Sequence, residues 1–286
     1  DCSGNGKVAF HNDRQKQLIR IRKLEEGTEK AVEGAVFGMF AAEDIYGVNG
    51  NLLLEEGSLI RKGVSASDGI VDFGDDLPIS TYRIEELGAK GYLTMERKDA
   101  DGIYERKGIV FETAYSGADK GEVLYTAVIH NKPTEVKISK VEASGGKELP
   151  GANMAIKDRN GNIVEEWVST EEIHVVRGLV SNEFLKETDF DSSKQDGVVF
   201  YKLVETRPAD GYATAEEIEF ALINEHVYYW DFSVWKRLQE GIVTMKDETT
   251  KVQITKYDIT NSKELPGATL ILKDDEGNVV EQWVSE

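Results

Sequence analysis

Asn131 and Lys140 stand nine residues apart, and Asp247 and Lys256 repeat the interval. Each pair sets a side-chain carbonyl that can be attacked beside an amine that can attack. A glutamate joins the pattern: Glu205 lies six residues before the Gly-Tyr pair at Gly211, and Glu85 lies six before that at Gly91. The recurring set is therefore a lysine, a glutamate and an Asn or Asp. It occurs as Lys23, Glu85 and Asn131, then as Lys140, Glu205 and Asp247. Glu86 could compete with Glu85, but neighbours on a strand face opposite sides. The offset from the Gly-Tyr pair selects Glu85.

These residues sit at fixed places in a long repeat. Residues 136–170, "VKISKVEASGGKELPGANMAIKDRNGNIVEEWVST", align without a gap to 252–286, "VQITKYDITNSKELPGATLILKDDEGNVVEQWVSE". A fainter copy begins at Ile19. In all three copies the lysine precedes the alanine of a Gly-Ala pair by twelve residues: Lys23 and Ala35, Lys140 and Ala152, Lys256 and Ala268. Successive lysines are 117 and 116 residues apart, a domain-sized period and too long for a solenoid.

The elements that carry the set read as strands. "VKISK" and "VQITK" alternate apolar and polar residues. Asn160-Gly161 and Glu276-Gly277 mark tight hairpins inside the repeats. "GIVFET", "EVLYTAVIH" and "VVFYKLVET" are further β-rich runs, and only "NDRQKQLIRIRKLEE" is ambiguous with helix. Many short strands with turn signals between them predict an all-β chain of tandem sandwich domains. The boundaries fall at a leading tail (1–15), a first domain (16–134), a second with an acidic insertion (135–250) and the opening strands of a truncated third (251–286). The nine-residue interval is then a module junction. Asn131 closes one domain and Lys140 opens the next, so each residue pairs within its own domain.

Composition narrows the partners. The 286 residues carry a net charge of −19, which argues against nucleic acid and anionic membrane surfaces. No run of eighteen apolar residues is present, so nothing in the segment is expected to insert in a membrane. The lone cysteine, Cys2, cannot staple a domain internally. The four histidines lack zinc spacing, "DADG" at 99–102 is only a fragment of a calcium loop, and no cofactor or metal is expected. Phosphate-loop, nucleophile-elbow and metalloprotease motifs are missing, and no turnover enzyme is indicated.

The pattern "K…ELPGA…KD.NGN.V..W.S…ET…GY" resembles the B-type repeat of the collagen-binding surface protein Cna. It is also similar to the SpaA-type backbone-pilin domains of Gram-positive bacteria. The resemblance implies a prealbumin-like, inverse immunoglobulin sandwich. It also implies a spontaneous isopeptide bond between first-strand lysine and last-strand Asn or Asp, assisted by the glutamate. Lys23 and Lys140 would be the amines, Asn131 and Asp247 the acceptors, and Glu85 and Glu205 the catalytic acids. Lys256 would be the amine of a third unit without partners here. Burial would favour a neutral amine and a protonated acid, as such a reaction requires. The implied role is a stalk or shaft segment of an extracellular adhesin or pilus-like protein, anchored to the cell wall through regions outside this segment. Its partners would be adjacent domains of a longer surface protein, with another copy completing the third domain.

A second reading is an adhesive module recognising a host matrix protein or a glycan. It rests on "HVYYWDFSVW" at 226–235, where Tyr228, Trp230, Phe232 and Trp235 could form a stacking platform. Alternation favours the plainer reading, in which every other aromatic enters the core. A sandwich hydrolase finds no support, since no further pair of carboxylates stands out.

Overall fold

The computed structural model describes residues 15–47, 49–74, 77–98, 103–117, 121–183 and 197–286. The expected features at Cys2, in the "DADG" loop and in most of the acidic insertion lie outside these. All regular elements among the described residues are strands.

The first unit holds β1 (Lys16–Glu25), β2 (Val36–Ala41), β3 (Ile45–Tyr46), β4 (Leu52–Leu54), β5 (Leu59–Val64), β6 (Ile70–Asp72), β7 (Thr81–Gly88), β8 (Met95–Arg97), β9 (Tyr104–Arg106), β10 (Gly108–Glu112) and β11 (Glu122–Asn131). The second holds β12 (Glu135–Glu142), β13 (Asn153–Asp158), β14 (Ile163–Val168), β15 (His174–Arg177), β16 (Tyr201–Arg207), β17 (Ile218–Ile223), β18 (His226–Trp230), β19 (Trp235–Arg237) and β20 (Ile242–Asp247). A last hairpin pairs β21 (Thr269–Lys273) with β22 (Val279–Val284). The ambiguous stretch before Glu25 is strand β1; its alternating burial, with Gln17, Ile19, Ile21 and Lys23 inward, is the two-residue period of a half-buried strand.

Each unit packs two sheets over one core. In the first, the order β11-β1-β6 faces β10-β7-β2-β5. In the second, β15-β12-β20 faces β14-β13-β16-β17-β18-β19. Ile19, Ile21, Phe37, Met39, Tyr82 and Ile84 fill the first interior. Ile138, Met154, Ile156, Leu203, Phe220 and Leu222 fill the second. The strand orders correspond, with β12 in the place of β1, β20 of β11 and β16 of β7. The second unit adds the β18–β19 hairpin to its larger sheet.

First and last strands pair in parallel in both units, β1 with β11 and β12 with β20. Parallel neighbours need a long crossover, here nearly the whole domain. In the first unit Lys23 lies opposite Ile129, so Asn131 is two residues on and on the same face. In the second Lys140 lies opposite Met245, and Asp247 is again two residues on.

The units meet along a short seam. The Thr134 amide donates to Gly91 O at 2.9 Å, and the Gly178 amide to Thr134 O at 3.2 Å. A Cβ on Gly91 would come within 2.7 Å of Gly178 O, so the two backbones touch only because this residue has no side chain. Glu183, at the start of the insertion, accepts from the amides of Thr94 and Met95 at 2.6 and 3.2 Å and from the Thr94 hydroxyl. In the last hairpin and the stretch before it, residues that repeat core positions are exposed. Val252 and Ile254 correspond to Val136 and Ile138, yet are 77% and 43% accessible against 0% and 1%.

Candidate functional site

In the second unit all three sequence-predicted residues converge. Lys140, Glu205 and Asp247 are all buried. Lys140 Nζ contacts Asp247 Oδ1 directly and lies 2.8 Å from Glu205 Oε1. The Ala215 amide donates to Glu205 Oε2 at 2.8 Å, which fixes the carboxyl between the amine and β17's leading loop. Burial pushes the Asp247 carboxyl up from the usual carboxylate range; Glu205 adds to the rise and Lys140 opposes it. The raised direction favours the protonated form, the one whose oxygen can leave as water.

In the first unit Lys23 and Asn131 are both 0% exposed, and their acid is Glu86 rather than Glu85. Asn131 Nδ2 donates to Glu86 Oε1 at 2.8 Å, and Lys23 Nζ lies 3.9 Å from the same oxygen. Lys23 Nζ also donates to the carbonyls of Leu24 and Ile129 at 3.4 and 3.3 Å. Glu85 points the other way and pairs with Arg83 at 2.8 Å on a partly exposed face. The expectation for Glu85 is thereby corrected, and its cause is local. In both units a β-bulge directly follows the glutamate: Phe37 opposes Glu86 and Val36 opposes Gly88, as Met154 opposes Glu205 and Asn153 opposes Arg207. From there to the Gly-Tyr pair the first unit is one residue shorter. Ala89 and Ala209 hold the same place, each accepting from the following tyrosine amide. Pro208 is thus the residue the first unit lacks, so counting back from Gly91 overshoots by one.

The electrostatics of the first centre suit amide chemistry. Burial lowers Lys23 to about 8, with Glu86 opposing and Lys107 adding to the fall. Burial raises Glu86 to about 7 against the pull of Lys23 and of the Asn131 hydrogen bond. The two values draw close together without crossing, the amine still above the acid, which brings a neutral amine with a protonated carboxyl within easy reach. Asn131 Oδ1 and Glu86 Oε2 are buried and accept no hydrogen bond. Turning the amide end for end would place its oxygen at Glu86, where a protonated carboxyl can donate to it.

Local structure holds the lysine in place. The Lys23 amide donates to Gly69 O at 2.7 Å, and a Cβ on Gly69, whose φ is +80°, would sit 2.3 Å from Lys23 O. Only glycine allows this approach of the β6 turn to β1.

The remaining expected residues separate. Lys256 is exposed and lies before the last hairpin, with no buried acid or acceptor beside it among the described residues. Of the four aromatics, Tyr228 and Trp235 are buried in a second apolar cluster with Val198, Phe200, Ala221 and Ile223, and so are not a platform. Trp230 packs edge-on to Trp235 at 5.3 Å, and Phe232 alone is fully outside. Among the described residues no group of His, Cys, Asp or Glu could hold a metal. Among the described residues no helix is long and apolar enough to cross a membrane.

Comparison with known proteins bears on this geometry. Residues 134–232 match the family model described as SpaA, prealbumin-like fold domain. This stretch is a SpaA-type domain. The match contains Lys140 and Glu205 and stops before Asp247, which the parallel pairing of β12 with β20 brings to Lys140. Similar solved structures include the TIE protein of Bacillus anthracis (19% identity, TM-score 0.36, covering 94% of this chain and 41% of that one). They also include the shaft pilin SpaA of Lactobacillus rhamnosus GG (16%, 0.32, 84% and 99%). The pilus adhesin SpaC of the same bacterium is a third (15%, 0.43, 83% and 32%). The chain spans 41% and 64% of the first two structures it matches, the TIE protein and a streptococcal ancillary pilin. No curated protein matches it.

Proposed function

We propose that the chain is a stalk segment of a Gram-positive surface protein or pilus, in which each complete domain seals itself with one isopeptide bond. The observation that carries this reading is the double one above. Two buried lysines on first strands each share a pocket with a buried acid and an Asn or Asp on the last strand.

In the first domain, neutral Lys23 Nζ attacks Asn131 Cγ while protonated Glu86 hydrogen-bonds the amide oxygen. A new C–N bond forms, Lys23 gives up a proton, and Glu86 relays a proton to the departing nitrogen. The C–N bond to Nδ2 then breaks and ammonia leaves. In the second domain Lys140 attacks the protonated Asp247 carboxyl, Glu205 relays the proton, and water leaves. Each glutamate ends as it began. Folding supplies the proximity, which can be worth roughly 7–11 kcal/mol of barrier. The event happens once per domain, so the protein processes itself and turns nothing over.

The parallel pairing of first and last strands gives the bond mechanical sense. Tension would arrive along β1, cross at Lys23–Asn131 and leave along the following linker, without loading the rest of the sandwich. If the bond acts as a disulfide would on a loop of this size, it adds ~4–5 kcal/mol of stability. Residues 251–286 would open a third domain of the same kind, with Lys256 as its amine and its remaining strands coming from continuing chain or another copy. The segment would stand outside the cell, between other domains of a wall-anchored protein.

Intact mass of the denatured chain tests this. The expected mass is lower than that of the plain sequence by one ammonia and one water. Asn131→Ala should restore the first loss and Asp247→Ala the second. A mass equal to the plain sequence would end the proposal.

A further inference from the structure

One half-buried charge beside the first centre has no counterpart among the described residues of the second. Lys107 joins β9 to β10, and its side chain is only 16% exposed. Its Nζ donates to the His130 carbonyl at 3.0 Å, one residue before the acceptor Asn131. Its own carbonyl accepts from the Glu86 amide at 2.9 Å, and its amide donates to Thr94 O at 3.2 Å. Lys107 is thus tied by its backbone to the acid and by its side chain to the acceptor strand. Lys23 Nζ holds the adjacent carbonyl, Ile129 O, so two lysine ammoniums sit on consecutive carbonyls of β11.

Resting on the isopeptide reading above, we propose that Lys107 is a positioning residue for the first-domain bond. Its ammonium repels a second positive charge at Lys23 and stabilises the negative charge that develops on Asn131 Oδ1 during attack. The groups around it leave that field in place. Glu96 on β8 lies 3.9 Å away but is half exposed, so water screens it. Arg106 turns to the carbonyls of Glu86 and Leu87, Glu85 is occupied by Arg83, and the His130 ring faces Glu29. The buried Glu86 and Lys23 are therefore the titratable groups that feel Lys107 through protein rather than water. Both respond as such a charge requires, Lys23 being lowered by it and Glu86 lowered less than burial raises it.

The second domain explains why the device appears once. Tyr82 opposes Phe111 and Tyr201 opposes Phe220, so the place of Lys107 falls to Glu216, an exposed residue. There the acceptor is Asp247, which must be protonated to react. A cation beside it would hold it ionised and slow the reaction. An Asn acceptor cannot ionise, so at Asn131 the same cation aids the attack, and its opposing pull on Glu86 is outweighed by burial. Lys107 is matched to the amide acceptor.

The test follows bond formation in the full chain, isolated unfolded from inclusion bodies and refolded across mildly acid to alkaline pH. Intact mass is taken over time, and peptide mapping assigns the ammonia loss to the first domain. Lys107→Met and Lys107→Gln should each move the pH of half-maximal rate upward by about one unit, so that formation near neutrality slows about tenfold. Lys107→Arg, which keeps the charge, should restore the wild-type profile. Water loss in the second domain of the same molecules reports that folding has proceeded. An unmoved profile, or slowing by one factor at every pH, would leave Lys107 a purely structural residue and overturn the inference. If the wild-type chain loses no ammonia at any pH, the bond itself is absent and both proposals fall.

Discussion

The two buried centres share a strand plan but differ in chemistry. In the second domain three ionisable groups crowd one pocket, with Lys140 on both Glu205 and Asp247. In the first, two ionisable groups and a neutral amide share it, the lysine stands 3.9 Å from the acid, and Lys107 looks on from the side. For such a bond the second centre would have to disfavour ionisation of its acceptor, the direction in which burial and a neighbouring acid push Asp247 against Lys140. The first has to make a weak electrophile react, which a nearby cation favours. On the isopeptide reading proposed above, one backbone frame would support two ways of making the same kind of bond.

The sharpest way to break the comparison is to exchange the acids. Glu86→Ala should slow ammonia loss in the first domain by roughly 10²–10⁴-fold, the usual worth of a general acid–base. Glu85→Ala, one residue away, should leave it unchanged and remove only the surface pair with Arg83. Glu205→Ala should abolish water loss in the second domain to a like degree. Refolding followed by intact mass reads all three. A first-domain bond that survives Glu86→Ala and fails in Glu85→Ala would reverse the correspondence drawn from the bulges.

That correspondence marks how far the sequence could be read. The gapless repeat, the alternating strands and the Lys-to-Gly-Ala interval place Lys23, Lys140, Asn131 and Asp247 where the structure has them, because strand period and parallel register act on them directly. Glu86 escaped because a bulge and a loop one residue shorter lie between it and the landmark, and neither changes composition. Lys107 left no signal, since it belongs to one unit and its opposite number is an acidic residue. The aromatic hairpin was half legible: aromatics were expected in the core, and Tyr228 and Trp235 are buried. Alternation assigns residues to two faces, but Val198 and Phe200 cover the outer face too, so Tyr228 and Trp235 are buried on the side expected to be free.

A second difference appears in pH dependence before the bond has formed. In an Asn131→Ala chain the first centre keeps Lys23 and Glu86 unlinked. Glu86 has a folded value of about 7 against 4.5, so folding takes up a proton between those pH values and stability falls as pH rises through them. Lys23 has a folded value of about 8 against 10.5, so folding releases a proton there and stability rises with pH across that window. Stability of this domain should therefore pass through a minimum between about 7 and about 8. Urea unfolding of the Asn131→Ala chain across pH checks it. A monotonic profile would show that the pair is not buried as drawn.

The smallest effect concerns the hairpin that only the second domain has. Trp235 and Phe232 are three residues apart, yet Trp235 is 4% exposed and Phe232 88%. Phe232 also holds φ +51°, a left-handed conformation that costs a bulky residue roughly 1–2 kcal/mol. A ring placed in water on a strained backbone contributes no packing, so its removal should cost the fold nothing. Phe232→Gly should keep stability within about 0.5 kcal/mol of wild type or raise it, as relief of strain offsets the added freedom of the unfolded chain. Thermal unfolding of the second domain reads this directly. A drop well beyond that range would mean the ring packs against something and belongs to the core. A neutral result leaves the side chain without a structural reason to be aromatic, and separates the hairpin's tip, free to meet a partner, from its base, which holds the sheet together.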